Sequence, residues 1–284
     1  MPTSDILLEE AACQLVGNVD ARREAQVLLG IVLGVSRAWL AAHGGKAVDP
    51  LAAATFHSLV ERRRAGEPIA YLLGRREFYG LDFRVTPDVL IPRADTETLV
   101  DAALEVLDRD AAHDVLDLGT GSGCVAVVIA HERPVARVTA LDASASALKI
   151  AGGNALAHGV NVAFVRGNWL EPLAGRRFDL IVSNPPYVAA GDPHLRSGDL
   201  RFEPQQALAS GIDGLRDIRK IVAAAPACLR AGGWLLLEHG HDQAKACRDL
   251  LLDTGFTGLI SRPDLAGLAR VAGGRLLTEK SAYR

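Results

Sequence analysis

Two short segments of this chain carry residue types whose spacing implies chemistry. The first is Asn184-Pro185-Pro186-Tyr187, directly after the apolar run Phe178-Asp-Leu-Ile-Val-Ser183. A proline after Asn184 drives that residue toward an extended backbone, and the paired prolines stiffen the segment. Asn-Pro is a common turn dipeptide, yet a turn requires neither the second proline nor the aromatic residue. The segment offers two hydrogen-bond acceptors side by side: the Asn184 side-chain carbonyl and the Pro185 backbone carbonyl. They match the two N–H hydrogens of a planar amide or an exocyclic amine, whose nitrogen lone pair is delocalised and therefore a poor nucleophile. Accepting both hydrogens returns electron density to nitrogen and aims it at an electrophile. Tyr187 is suited to pack on the flat face of the amide. A fitting electrophile is a methyl group already activated on a sulfonium, as in S-adenosylmethionine, which requires neither a metal nor a strong general base. The catalytic candidates are Asn184, Pro185 and Tyr187, and Pro186 completes a substrate-binding segment.

The second segment is Asp114-Val-Leu-Asp-Leu-Gly119-Thr120-Gly121-Ser122-Gly123-Cys124, an apolar run opening into a glycine-rich turn. Glycines there let the backbone turn sharply and a ligand approach closely. Such turns at the carboxyl ends of parallel strands are where nucleotide ligands bind. The Gly-x-Gly-x-Gly spacing departs from the dinucleotide fingerprint Gly-x-Gly-x-x-Gly, although on this evidence NAD stays open beside an adenosyl cofactor. Asp142 ends the next apolar run, where a carboxylate accepts hydrogen bonds from ribose hydroxyls. It would serve equally as a helix cap, a role that Ser144 is also placed to fill. Asp117 either braces the loop or meets the cofactor's amino-acid end. Trp169 reads equally as a core aromatic. His239 and His241 read as a polar loop, with no third ligand nearby for a metal.

Both segments need a sheet to position them. Strands are expected over Asp114–Leu118, Arg137–Asp142, Val162–Arg166, Phe178–Ser183 and Trp234–Glu238. Helices are expected between them over Val125–His131, Ala145–His158, Ile218–Leu229 and Gln243–Leu252, and two further strands between Phe256 and Thr278. Strand–helix alternation of this kind implies crossover connections and a mostly parallel sheet covered on both faces. Ahead of it, residues 77–92 read as a β-hairpin linker, with apolar Phe83, Val85, Val89 and Ile91 alternating. Residues 1–76 read as helical, with apolar positions Ala25, Leu28, Leu29 and Val32 at helical spacing and a further helix over Leu51–Arg64. The basic cluster Arg62-Arg63-Arg64, with Arg75-Arg76 beyond it, reads as a solvated helix end or as a docking surface for an acidic or RNA-associated partner.

The totals agree with a soluble enzyme. Among 284 residues, 49% are hydrophobic and 23% charged, and the net charge of −3 provides no global positive field for gripping nucleic acid. Cys13, Cys124, Cys228 and Cys247 are too scattered for zinc or redox work and read as small buried hydrophobes in a reducing compartment. The first residues lack the apolar stretch of a signal peptide, and no run reaches the ~18 apolar residues of a membrane helix, so a cytoplasmic protein is expected.

At these residues the sequence resembles the protein-(glutamine-N5) methyltransferases that modify peptide-chain release factors. The resemblance runs through the helical N-terminal portion, Ile91-Pro92-Arg93-Ala94-Asp95-Thr96-Glu97, the Gly119–Gly123 loop, Asn184–Tyr187, and Phe202-Glu203-Pro204 through Gly211. It implies a Rossmann-like class I methyltransferase domain with a mostly parallel seven-stranded sheet over residues 93–284, preceded by a small helical domain that docks the protein substrate. It also implies that Gly119, Thr120, Gly121, Ser122, Gly123, Asp142, Trp169 and Asn184 hold S-adenosylmethionine. Asn184, Pro185, Pro186 and Tyr187 would hold a glutamine from the release factor's Gly-Gly-Gln tripeptide. Arg93 and Glu97 would order the substrate loop, or else form a solvated salt bridge after a turn. The expected partner is a release factor, with no stable nucleic acid or membrane contact, and the expected state a monomer. Ala94, Asn168 and Ala269 depart from the family's usual proline, acidic residue and polar residue. Rival readings are glutamine methylation of a ribosomal protein and adenine-N6 methylation of DNA or RNA, whose exocyclic amine needs the same acceptors. A non-catalytic cofactor binder is disfavoured by the intact tetrapeptide, and an NAD dehydrogenase by the glycine spacing.

Overall fold

The computed structural model describes residues 1–15, 17 and 20–277. The chain divides into two compact units, Met1–Arg75 and Arg76–Arg284.

The first unit contains helices α1 (Ser4–Gln14), α2 (Ala21–Leu33), α3 (Arg37–Ala42), α4 (Pro50–Arg64) and α5 (Ile69–Leu73). Side-chain caps start three of them. Thr3 accepts from the Ile6 N–H, Ser36 from Trp39, and Asp49 from Leu51 and Ala52 ahead of Pro50 in the first turn of α4. Leu7, Leu28, Leu29, Phe56 and Val60 are fully buried and form its core. The basic cluster at the end of α4 is ion-paired: Arg62 with Glu67, Arg64 with Glu61, and Arg63 with Glu24 of α2 through a two-pronged contact at 2.9 Å. Arg63 is thus a brace between two helices, a role that a run of like charges in the sequence does not reveal. Cys13 is exposed, contrary to expectation, because it lies off the apolar stripe of α1; the other three cysteines are buried.

The second unit opens with a two-stranded hairpin, β1 (Arg75–Phe78) and β2 (Leu81–Arg84). Strand pairing stops at Arg84. Val85, Val89 and Ile91 are buried without joining a strand, in a stretch interrupted by Pro87 and Pro92. Beyond it come α6 (Glu97–Val106), β3 (Asp114–Leu118), α7 (Cys124–Glu132), β4 (Arg137–Asp142), α8 (Ala145–Ala157), β5 (Val162–Arg166), β6 (Phe178–Ser183), α9 (Arg216–Ala224), β7 (Leu229–Glu238), α10 (Ala244–Asp253), β8 (Phe256–Pro263) and β9 (Ala269–Leu276). Among the described residues the sheet has seven strands in the order β5-β4-β3-β6-β7-β9-β8, all parallel except β9. This is the expected architecture.

Period-two alternation sends successive side chains of each strand to opposite faces. Val115, Leu180, Val182 and Leu236 pack beneath Leu99, Val100 and Val127 of α6 and α7. Leu116, Ile181, Leu235 and Leu237 pack beneath Ile218, Ile221 and Leu251 of α9 and α10. The expected helix over Ile218–Leu229 is shorter than the apolar pattern suggested. It ends at Ala224 and gives way to a single tight turn around Pro226, and Leu229 already pairs with Phe178 in the sheet. Proline removes the N–H that a continuing helix would need.

Strand order reverses between β3 and β6, because β4 lies on the far side of β3. In open parallel sheets, ligands bind beyond the carboxyl ends of the strands at this switch point. The glycine loop leaves β3 there, and Asn184 leaves β6 beside it.

Candidate active site

A cavity of about 580 Å³ opens at the switch point. Gly119, Gly121, Asp142, Trp169, Asn184 and Pro186 line it, so six of the residues singled out from the sequence converge on one space. Thr120, Ser122, Gly123, Pro185 and Tyr187 do not line it. Each is turned to a supporting role with an identifiable partner or environment.

The loop is held at several points. The N–H groups of Gly119 and Thr120 donate to the Leu141 carbonyl at 2.8 and 2.9 Å. The Thr120 hydroxyl turns inward and donates to Asp117 at 2.6 Å, and the Ser122 carbonyl accepts from the Asn154 side chain of α8 at 2.8 Å. Gly123 starts α7 with φ 83°, and a Cβ there would sit 2.9 Å from the Ala151 Cβ, so only glycine lets α7 and α8 approach this closely. Asp142 binds the loop from across the sheet. One oxygen accepts from the Gly121 N–H and the other from the Ser144 N–H, both at 2.9 Å. The cap of α8 is Ser144, whose hydroxyl accepts from Ala147.

Asp117 is buried behind the loop. Burial pushes its carboxyl up to about 7; the hydrogen bond from Thr120 opposes this and the charge on Asp142 adds to it. Trp169 has φ 47°, a backbone state uncommon for a residue with a side chain, and its ring lies 3.6 Å from the point where a Gly119 Cβ would stand. A side chain on Gly119 would intrude between the tryptophan and the loop.

At the tetrapeptide, the Asn184 side-chain N–H donates to the Thr96 hydroxyl at 3.1 Å. With its amino group engaged, Asn184 keeps its carbonyl oxygen as a free acceptor. Pro185 is buried. The Tyr187 hydroxyl donates to Glu238 at 3.1 Å, and burial beside that carboxylate raises the phenol's pKa. Glu238 ends β7 fully buried, and burial raises its carboxyl to about 7 against hydrogen bonding from Thr96 and Tyr187.

Several side chains here take partners other than those expected. Arg93 pairs with the buried carboxylate of Glu203, which also accepts from the Ile91 N–H at 3.0 Å. Glu97, expected to act with Arg93, accepts instead from the Tyr79 N–H at 3.0 Å. The Arg93–Glu203 pair joins the stretch leading to Thr96 to the segment Pro204–Ala207, which forms another wall of the cavity. Phe202-Glu203-Pro204 had stood out as a motif without a role. His239 is completely buried, contrary to the polar-loop reading, with one ring nitrogen bonded to the Gly240 carbonyl; only His241 is exposed. Burial lowers the pKa of His239. Among the described residues, no three His, Cys, Asp or Glu side chains gather closely enough to hold a metal ion, and no helix is long and apolar enough to cross a membrane.

Family models match both parts of the chain: a PrmC N-terminal domain over residues 7–74 and a Methyltransferase small domain over residues 95–199. The release factor glutamine methyltransferase of Xylella fastidiosa is 53% identical over 96% of this chain and 98% of its own length. The chain belongs to the release factor glutamine methyltransferase family. Other members include that of Bordetella pertussis, 53% identical over 90% of this chain and 95% of its own, and that of Vibrio cholerae, 45% identical over 99% of each. A methyltransferase crystal structure from Pyrococcus furiosus superposes with a TM-score of 0.54 at 17% identity, over 78% of this chain and 98% of that one. At that identity the likeness is one of fold.

Proposed function

We propose that this chain transfers a methyl group from S-adenosylmethionine to the side-chain amide nitrogen, N5, of the glutamine in the Gly-Gly-Gln motif of peptide-chain release factors. The protein substrate comes from the names of the family members, which fit the chemistry of the site. The observation that carries the reaction is the Asn184 side chain, whose amino group is tied to Thr96 and whose oxygen remains an acceptor at the wall of the cavity.

The cavity suits the cofactor. Gly119 and Gly121 leave backbone exposed where an adenosyl group would approach, Asp142 offers acceptor lone pairs for ribose hydroxyls, and Trp169 presents an aromatic face. S-adenosylmethionine supplies a methyl group on a sulfonium, and S-adenosylhomocysteine is the product. The protein's part is to orient and polarise the acceptor. Asn184 Oδ1, at the cavity wall, takes an amide hydrogen of glutamine, which draws electron density back onto nitrogen, and Pro185, buried off the cavity wall, stiffens the segment that carries it. Held against Gly119, Gly121, Asp142 and Trp169, the cofactor would supply the methyl group with its sulfur as leaving group, and the glutamine nitrogen would give up one proton to solvent. Pro186 and Tyr187 hold the segment rigid. Residues 1–75 form the docking surface for the release factor, and the protein works in the cytoplasm as a monomer.

Incubation with methyl-labelled S-adenosylmethionine and an unmethylated release factor tests this reading. Label should enter the release factor. Label in ribosomal protein or in an adenine-containing duplex, and none in the release factor, would transfer the site to one of the rival substrates.

A further inference from the structure

The Asn184 side chain depends on a very short piece of structure. Its amino group donates to the Thr96 hydroxyl at 3.1 Å, and Thr96 ends a tight turn of three residues, Ala94–Thr96, closed by the Thr96 N–H on the Arg93 carbonyl at 3.1 Å. A turn of that length has too few internal bonds to hold its own position. Side chains around Thr96 tie it to separate parts of the unit: Arg93 pairs with the buried Glu203, and Glu97 accepts from the Tyr79 N–H. Asp95, between them, does not line the cavity, and its side chain is half exposed.

The partner of Asp95 comes from the far end of the chain. Arg270 of β9 places Nη2 3.2 Å from Asp95 Oδ2, and its Nε donates to Asp264 Oδ2 at 2.9 Å. Asp264 is buried, and its other oxygen accepts from the N–H groups of Ala266 and Leu268, both at 2.9 Å, so it is committed to the turn between β8 and β9. The Arg270 carbonyl accepts from the His239 N–H, just beyond β7, at 2.9 Å. A guanidinium carries its donors in one rigid plane, so anchoring one edge on Asp264 aims the other. Exposed ion pairs contribute little when both side chains must be ordered to form them. Here the Arg270 side chain is only 17% exposed and is already ordered from behind. We propose that Arg270 is a positioning residue for Asn184: through Asp95 it fixes the turn whose Thr96 hydroxyl holds the Asn184 amide. This rests on the methyl-transfer reading above, in which Asn184 Oδ1 accepts from the substrate amide.

Releasing Asp95 frees the turn on the side that faces β9. A hydrogen bond weakens steeply with distance and angle, so a displaced Thr96 no longer sets the plane of the Asn184 amide, and the acceptor oxygen loses its aim. The glycine loop, Asp142 and Trp169 lie on other elements and make no bond to the turn. The loss therefore falls on the transfer step and spares cofactor binding.

The test compares the full chain with Asp95→Ala, Arg270→Met and the double variant. It reads single-turnover methylation of an unmethylated release factor, calorimetric titration with S-adenosylmethionine, and the side-chain amide NMR resonances of Asn184. Asp95→Ala leaves Arg270 on Asp264, so the thermal midpoint should be kept. Its transfer rate should fall on the order of 10- to 100-fold, the upper figure being what about 1 Å of misplacement costs, with the dissociation constant for S-adenosylmethionine unchanged. Arg270→Met should lose thermal stability as well, because Asp264 loses its partner. The double variant should transfer no more slowly than the slower single one, since residues acting through one contact are not additive. The Asn184 amide resonances should move in all three. A wild-type rate in Asp95→Ala, rate losses that multiply in the double variant, a dissociation constant that rises as much as the rate falls, or unmoved Asn184 resonances would each overturn the proposal. If Arg270→Met does not fold, Asp95→Ala decides alone. If wild type transfers no methyl group to the release factor, the functional reading falls, and the Asn184 resonances in Asp95→Ala still decide the role of Arg270.

Discussion

Replacing Asp142 by asparagine exchanges one oxygen for an amino group and leaves the volume unchanged. In the structure both carboxylate oxygens are in use, each accepting a backbone N–H at 2.9 Å, one from Gly121 and one from Ser144. An asparagine keeps only one acceptor. Whichever N–H it serves, its NH2 confronts the other as donor against donor. A hydrogen bond to a charged group contributes about 1.5–3 kcal/mol. If Ser144 retains its partner, that loss falls on the turn at Gly121, which lines the cavity and would no longer be held in place for the cofactor. At about 1.4 kcal/mol per factor of ten, the dissociation constant for S-adenosylmethionine should rise about 10- to 100-fold. Isothermal titration calorimetry reads this directly, and circular dichroism checks that the sheet is intact. An unchanged dissociation constant would refute the assignment of Asp142 to both loop and cofactor.

Asn184→Ala should lower kcat on the order of 100- to 1,000-fold, as removal of a transition-state hydrogen-bond partner does, with a smaller loss of cofactor affinity; single-turnover methylation separates the two. Gly123→Ala combines a left-handed backbone with a Cβ 2.9 Å from Ala151, so it should destabilise the second unit by about 2 kcal/mol or more, measured as a lower thermal midpoint. Glu238 titrates near 7 in the fold, above its ordinary carboxylate value. The native state therefore holds that proton more tightly than the unfolded chain. Its stabilising contribution is complete below the ordinary carboxylate range and is lost as pH rises through about 7. Glu238→Gln, which cannot ionise, should thus gain thermal stability relative to wild type at pH 8, and the gain should vanish toward pH 4.

The legible parts of this chain were those in which local sequence determines local structure. The runs Asp114–Leu118, Arg137–Asp142, Val162–Arg166 and Phe178–Ser183 are strands at those bounds, because an apolar stretch too short for a helix, ending in Gly, Asp or Asn-Pro, has few other uses. Their order then brings Gly119, Asp142 and Asn184 together without further information. Thr96, Glu203 and Glu238 were not legible as working parts. Thr96 meets Asn184, and Glu203 meets Arg93, across long separations that no spacing rule encodes. A carboxylate at the end of β7 looks like the solvated end of a strand, yet the fold buries it completely. His239 misled in the same way. The overlong helix at Ile218–Leu229 shows the converse limit: apolar residues continue through Pro226 into β7, and periodicity alone does not mark where helix becomes strand. Arg62 and Arg64 are half-exposed at the end of α4, as a solvated helix end requires, whereas Arg63 is buried against Glu24, a partner in the folded unit that a basic run does not reveal.

The most direct test is peptide-mapping mass spectrometry of an unmethylated release factor after incubation with the enzyme and S-adenosylmethionine. The account predicts the mass of one methyl group on the glutamine of Gly-Gly-Gln, absent when Asn184→Ala replaces the wild-type enzyme. An unmodified glutamine, or a methyl group on any other residue, would contradict it.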